Sequence, residues 1–399
     1  MVKPGYKQTE IGVIPEDWEV APLGSISCFH DSKRVPIRES DRVKMQGDYP
    51  YYGASGIIDY VNDYIFDGDY ILLGEDGANI IDRSSRLAFV VSGKCWINNH
   101  AHVIEPHENI NIYFLSEYLE SITYDEYNTG TAQPKLNREK CNMIPVPVPS
   151  LVEQLQIAKI LEDCDGLIVT LEKEIIKKKA IKQGAMQELL TGKKRLPGFA
   201  DKWIKRTIGD IACIESGGTP STTVGSYWNG KISWCTPTDI TENRSKYIRN
   251  TEKTITKEGV LNSSAKLLPK GTILLCTRAT IGESSIATDV ITTNQGFKNL
   301  VCNDDVYNEF LYYALQMKKT EMVSLAIGST FLEISKNALS GILIDLPDNK
   351  DEQVAIAGVL SDIDEEIELL EQKLAKHRQL KQGMMQQLLT GRIRIYERR

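Results

Sequence analysis

EQLQIAKILEDCDGLIVTLEKEIIKKKAIKQGAMQELLTGKKR, residues 153–195, returns as EQVAIAGVLSDIDEEIELLEQKLAKHRQLKQGMMQQLLTGRIR, residues 352–394. The offset is a constant 199 residues across 43 positions, with no gap. About half the positions are identical, among them Ile157/Ile356, Leu161/Leu360, Asp165/Asp364, Lys182/Lys381 and Gly184/Gly383. A repeat this long marks a duplication. The 399-residue chain therefore reads as variable unit, repeated unit, variable unit, repeated unit.

Within the repeat the apolar residues step 4, 3, 4, 3: Ile157, Leu161, Cys164, Ile168, Leu171, Ile175, and Ile356, Leu360, Ile363, Ile367, Leu370, Leu374. A period of 3.5 predicts a helix with a coiled-coil seam. The seam turns polar at Lys178/Lys182 and at His377/Lys381. Ser150–Glu153 reads as a capping box, with Asn349–Glu352 as its counterpart, and Gly192 and Gly391 read as C-terminal stops. Each helix should run to roughly 40 residues. Residues 351–373 carry eight acids and one lysine, and residues 376–399 carry seven Lys/Arg and one Glu. This polarity suits a helix dipole, or basic ends lying near phosphates. One amphipathic helix cannot bury its seam alone, so the two copies are expected to pair antiparallel. They form a spacer and a docking surface with no chemistry of their own.

The variable units read as mixed α/β. Strands are expected at 70–73 and 87–91 with a helix at 112–122, then at 231–235, 272–276 and 298–301 with a helix at 309–317. Between these elements, Asn98-Asn99-His100 aligns with Thr293-Asn294-Gln295, and Gly130-Thr131-Ala132-Gln133 with Gly328-Ser329-Thr330-Phe331. The expected fold class is α+β: two mixed α/β domains joined by two long antiparallel coiled-coil helices in a pseudo-twofold repeat. The boundaries are 1–149 and 196–347 for the domains, and 150–195 and 348–399 for the helices.

Several loops carry groups suited to nucleic acid. Gly217-Gly218-Thr219-Pro220-Ser221 offers N–H and hydroxyl donors, fit for a phosphate or for a turn. Arg278 follows a strand and could donate bidentately to guanine, with Thr280 beside it. Asn99, Gln133, Asn294 and Gln295 could pair with adenine. Lys33 and Arg34 sit in a locally basic stretch, residues 31–44, of five bases and three acids. Tyr51, Tyr52 and Trp228 stack or pack. Asn98, His100, Thr131, Lys135, Gly218, Ser221, Thr236, Asp239, Ser329 and Thr330 complete the candidates.

Composition excludes other classes. Hydrophobic residues at 41% and charged residues at 25% are ordinary for a globular protein. No apolar run approaches a membrane span, and the start lacks a signal-peptide core, so a cytoplasmic location is expected. Eight scattered cysteines include no CxxC pair, which disfavours a zinc ribbon or disulfide framework. The net charge of −7 excludes a wholly basic binder but permits a local basic face. There is no P-loop, no Rossmann fingerprint and no Asn/Asp-Pro-Pro-aromatic tetrapeptide. His100-x-His102 has no third ligand nearby in sequence, so no metal is expected. The acid-x-Lys string Glu371-Gln372-Lys373 sits on a coiled-coil helix and is rejected as a nuclease motif. The chain reads as a recogniser and scaffold, not an enzyme.

The repeated Glu-Gln…Ile-Ala…Leu…Asp…Asp helices ending Leu-Leu-Thr-Gly resemble the conserved regions of specificity subunits of type I restriction–modification systems. Glu10-Ile-Gly-Val-Ile-Pro15-Glu-Asp-Trp18 resembles that family's start. Gly217-Gly-Thr-Pro, Trp234-x-Thr236-Pro-x-Asp239-Ile and Thr293-Asn-Gln295 are similar to its target-domain motifs. The first unit departs from these, with no Gly-Gly-Thr-Pro and with His100 where Gln295 stands. The resemblance implies two target-recognition domains, each reading half of a bipartite site in double-stranded DNA. It implies helices that set the half-site spacing and dock two modification subunits, which carry S-adenosylmethionine and methylate adenine. Motor-nuclease restriction subunits, using ATP and Mg, would join them. The chain itself would bind no cofactor. Two other readings stay open: a stand-alone or silent DNA-binding cassette, and a coiled-coil adaptor.

Overall fold

The computed structural model describes residues 2–243, 245–328 and 332–395. The two repeats form helices Leu151–Leu189 and Lys350–Leu388, 39 residues each. Both end where the sequence places a stop. Gly192 and Gly391 adopt φ of 68° and 66°, the left-handed region that favours glycine. Chain-reversing bonds follow from Lys194 N–H to the Glu188 carbonyl and from Ile393 N–H to the Gln387 carbonyl. A Cβ on Gly391 would stand 2.4 Å from the Pro15 ring, so packing as well as φ requires glycine there.

The chain divides into two compact units, and the division falls inside both helices. Unit one is residues 1–173 with 371–399; unit two is residues 174–370. Each unit therefore holds one variable segment and a pair of helix segments, one from each repeat.

In unit one, strand Phe66–Gly74 lies between Ala88–Ile97 and Ala101–Pro106 in a six-stranded sheet that runs on to Gln46–Gly53 and Gly56–Val61. Helix Ile112–Ser121 packs on this sheet through Phe114, Leu115, Tyr118 and Leu119. The same core takes Ile157 and Leu161 from the first long helix and Leu388 and Leu389 from the second. Burying each such side chain stabilises by roughly 1.5–3 kcal/mol, so the helix ends are integral to the domain core.

Unit two repeats this plan with a break. Residues Ser284–Ala287 and Ile291–Thr293 stand where unit one has the single strand Ala88–Ile97. The interruption splits its strands into a five-stranded and a three-stranded sheet. Helix Asn308–Met317 and Ile208, Ile211 and Ile214 pack against Ile356, Leu360, Met186 and Leu189.

The helix segments run antiparallel within each unit, and the polar break in the seam explains their register. Lys381 Nζ meets Asp165 at 2.6 Å in unit one, and Lys182 Nζ meets Asp364 at 2.6 Å in unit two. These are the duplicated Asp and Lys, each paired with the opposite helix. A half-buried ion pair inside an apolar seam costs more to misalign than to form, which fixes register. Arg378–Glu172 and Lys178–Glu366 flank the pairs.

A second repeated device anchors each helix start. Arg394 holds Glu153 at 2.6 and 2.9 Å, and Arg195 holds Glu352 at 2.6 and 2.7 Å. Each guanidinium lies over a tryptophan ring, Trp18 or Trp203, 5.9 Å from its centre. Ser150 caps the first helix by accepting from Glu153 N–H at 3.3 Å, but the Glu153 carboxylate accepts instead from Trp18 and Arg394. The expected capping box is thus half formed, because the glutamate has a stronger charged partner. Among the described residues, no helix is long and apolar enough to cross a membrane.

Candidate nucleic-acid interface

Three loops meet at one end of the unit-one sheet. Strand Phe66–Gly74 runs out into residues 75–77, Ala88–Ile97 turns back through 98–100, and residues 128–136 return alongside. Backbone bonds tie them together. Glu75 N–H donates to the His100 carbonyl at 2.8 Å, and Leu136 N–H donates to the Glu75 carbonyl at 2.8 Å. His100 N–H donates to Asn98 Oδ1 at 2.8 Å, closing a tight side-chain turn. The Asn128 side chain accepts from Gly130 N–H and Lys135 N–H and shapes the third loop. Its tip leaves Thr131 and Gln133 exposed beside Asn99 and His100.

A buried histidine underlies these loops. His102 Nδ1 lies 2.7 Å from Asp31 Oδ2, and Nε2 lies 3.0 Å from the Leu136 carbonyl. Both partners are acceptors, so both ring nitrogens must carry protons. Burial opposes that charge, yet the Asp31 hydrogen bond, the neighbouring Cys141 and the Asp31 charge together overcome it and push the His102 pKa up to about 10. Burial would raise the Asp31 pKa too, but His102 and Arg34 hold it below the ordinary value.

Unit two builds the same framework from different residues. Thr277 N–H donates to the Gly296 carbonyl at 2.8 Å, Ile334 N–H to the Thr277 carbonyl at 3.1 Å, and Gly296 N–H to Asn294 Oδ1 at 2.8 Å. Lys298 occupies the His102 position, since Leu275 pairs with Lys298 as Leu73 pairs with His102. It too is nearly buried, with Nζ 3.4 Å from Glu333. Each unit thus keeps a cation beneath its loops.

This register corrects the alignment of the loops by one residue. Asn98 corresponds to Asn294, Asn99 to Gln295, and His100 to Gly296. The parallel strand pairs agree, because Tyr52 faces Ile97 as Cys235 faces Thr293. His100 therefore does not stand where Gln295 does; Asn99 does. Asn98 and Asn294 spend their side-chain oxygens on the turn, which removes those acceptors from base reading.

Several other candidates have internal roles. Tyr51 is 1% exposed and its hydroxyl accepts from Ile37 N–H, so its ring offers no face for stacking. Tyr52 is half-buried against Phe89. Arg34 reaches inward to Glu75 at 2.6 Å and to the Ala101 carbonyl at 2.7 Å, while Lys33 beside it stays exposed. Thr236 and Asp239 form a reciprocal capping box at the start of helix Pro237–Glu242. The Thr280 hydroxyl is buried.

The Gly-Gly-Thr-Pro loop is a packed turn joined to the cluster. Gly218 N–H donates to the Thr293 carbonyl at 2.8 Å, and a Cβ on Gly217 would fall 1.9 Å from the Asn294 carbonyl oxygen. Glycine is required there for close approach. Thr219 then reaches Gln295 Oε1 at 2.5 Å, holding that exposed amide in place. Ser221 pairs with Thr223 at 2.9 Å, and its carbonyl accepts from Trp228 Nε1. Arg278 is exposed and grips Glu333 Oε2 through Nε at 3.1 Å and Nη2 at 2.6 Å. Ser329 and Thr330 lie outside the described residues.

The structure thus brings together Asn99, His100, Thr131, Gln133 and Lys135 in one unit, and Thr219, Arg278 and Gln295 in the other. Sequence reading missed Asp76, Glu333 and Lys298, and weighed His102 only as half of a metal-ligand pair. The Asp76 carboxylate lies 2.9 Å from His100 Nδ1. Strand register, counted from the loop ends, is the signal that pairs Asp76 with Arg278. Among the described residues, no group of three or more His, Cys, Asp or Glu is placed to hold a metal ion.

The family model of the type I restriction modification DNA specificity domain matches residues 15–180 and 200–377. The specificity subunit of type I restriction enzyme MjaIX from Methanocaldococcus jannaschii is 41% identical over 168 residues, 42% of this chain and 39% of that protein. A putative type I specificity subunit from Haemophilus influenzae is 36% identical over 38% of each chain. The chain thus spans about two fifths of the length of these two relatives. The MjaVIII specificity subunit of M. jannaschii matches at 26% identity over 96% of this chain and 94% of that one. Among solved structures, the S subunit of a type I restriction–modification system from M. genitalium shares the fold. Its TM-score is 0.62 at 14% identity, covering 97% of this chain and 98% of that one.

Proposed function

Because this chain belongs to the type I restriction–modification DNA specificity family, with two copies of the domain over most of its length, we propose that it is the DNA-reading subunit of such a complex. Each unit reads one half of a bipartite site in double-stranded DNA. The observation that carries this reading is the pair of loop clusters. Three bonds that stitch the loops are the same in both, while the side chains set on them differ: Asn99 and Lys135 against Gln295 and Glu333, with exposed His100 where the other unit has Gly296. A constant frame with variable donors and acceptors is what base-edge recognition requires.

The chain performs no chemistry itself. Two adenine methyltransferase subunits bring S-adenosylmethionine, and motor-nuclease subunits bring ATP and Mg. The long helices dock the former and set the half-site spacing, about one turn of the duplex. A net charge of −7 is compatible with this role because partner subunits supply much of the phosphate-binding surface. The complex works in the cytoplasm, where its DNA lies.

Genome-wide mapping of N6-methyladenine in the host, with and without this gene, tests the proposal. Deletion should erase one bipartite motif. Survival of every methylated motif would overturn it. Inserting one helical turn after Lys177 should lengthen the spacer and leave both half-sites intact; an altered half-site would exclude the helices as the ruler.

A further inference from the structure

One position in each loop cluster carries charge of opposite sign in the two units. Residue 76 in unit one and residue 278 in unit two both follow the residue whose N–H and carbonyl stitch the loops together. Both form an isolated antiparallel bridge to the returning loop: Asp76 with Lys135, and Arg278 with Glu333. The first member is thus a carboxylate in one unit and a guanidinium in the other. The second is an ammonium in one and a carboxylate in the other.

The side chains are placed for contact with a ligand. Side-chain exposure is 27% for Asp76, 50% for Lys135, 45% for Arg278 and 29% for Glu333. In unit two the charges face each other directly. In unit one Asp76 faces His100, and Lys135 Nζ lies 3.3 Å from Glu75. Exposed ion pairs contribute little net stability, so redirecting one member to a base edge costs little. Two buried cations below, His102 and Lys298, hold the returning loop by the Leu136 carbonyl and by Glu333.

We propose that residue pairs 76/135 and 278/333 are equivalent selectors for one base-pair position in each half-site, with inverted polarity. Arg278 presents a donor fork matched to guanine O6 and N7, and Glu333 an acceptor for cytosine N4. Asp76 presents an acceptor where Arg278 presents donors, so unit one selects against guanine at the corresponding place. This assignment rests on the DNA-reading function proposed above and adds to it the residues that make the two half-sites differ.

The test is methylation mapping in host strains carrying wild-type chain, Arg278→Asp/Glu333→Lys, or the near-isosteric Arg278→Gln/Glu333→Gln. Wild-type chain should give one bipartite motif; its absence would sink the DNA-reading function and this assignment with it. Given that motif, both variants should relax or change a single position of one half-site. Discrimination there should fall about 10- to 100-fold, with the other half-site unchanged. An unchanged motif in both variants overturns the selector assignment and leaves the function standing. If the neutral variant loses methylation altogether, hydrogen exchange on the purified chain separates the causes, and either one overturns the assignment. Native protection would make the pair a general affinity element, and lost protection would make it a staple for the loops.

Discussion

The two units share their hidden contacts and differ in their displayed ones. Both clamp a glutamate at a helix start with an arginine laid over a tryptophan, and both pair the duplicated Asp and Lys across helix segments. Both close the same turn with an asparagine side chain. Yet unit one carries a continuous strand where unit two is broken, and their exposed loop charges are inverted. Contacts that hold each unit's fold are thus separable from contacts that face a ligand, because the loop frame is set by backbone bonds and one asparagine turn, which leave the neighbouring exposed positions free to vary.

The Asp–Lys pairs give the largest test of this comparison. Lys381 also lies 2.8 Å from Glu117 Oε2, an ion-pair separation off the hydrogen-bond direction, and Glu117 is nearly buried. Lys381→Met therefore leaves two acids facing Arg86 alone, and should cost about 3–5 kcal/mol. Lys182→Met should cost about 1–2 kcal/mol, because Asp364 keeps a 2.7 Å hydrogen bond from the Tyr313 hydroxyl. Hydrogen exchange resolved by unit measures both; equal losses would show that the two seams are not differently supported.

The buried cations come next. His102→Gln should destabilise unit one by about 1–3 kcal/mol by leaving Asp31 and the Leu136 carbonyl short of donors. His102→Lys should retain most of that stability, since lysine serves at the matching place in unit two. The folded pKa is raised, so the histidine's contribution is full below its unfolded value of about 6.5 and is lost as pH rises through about 10. Urea unfolding across that window should show a decline in wild type that His102→Lys flattens. Identical pH slopes would remove the charged histidine from the account.

The smallest difference concerns the tryptophans. Trp18 Nε1 donates to Glu153 at 3.1 Å, whereas buried Trp203 Nε1 finds no acceptor among the described residues. Trp18→Phe should cost about 1 kcal/mol more than Trp203→Phe in thermal unfolding. The reverse order would mean that the clamp, not the indole hydrogen bond, sets the difference.

Sequence made the helices legible because periodicity, duplication and stop signals all agree. The roughly 40-residue expectation meets 39-residue helices, and Gly192 and Gly391 end them. The polar seam positions were visible as a break, but their partners were not, since pairing depends on helix direction and register. The loops were less legible. Aligning Asn98-Asn99-His100 by residue type slipped one place, because only strand ends fix which asparagine makes the turn. Tyr51 was open between stacking and packing, because an alternating strand does not announce which face is covered. Arg34 read as part of a basic stretch, because a residue just past a short helical turn does not announce which way its side chain folds. Thr236 and Asp239 read as a recognition motif, and their three-residue spacing is equally that of a helix cap.

The doubly bonded His102 has a spectroscopic consequence. Both ring protons are sequestered from water, so exchange with solvent requires the loop cluster to open. Their imidazolium resonances should persist in alkaline solution after those of surface histidines have vanished. Line broadening on addition of DNA would then report motion of the loop cluster from beneath, at a nucleus buried below the exposed side chains.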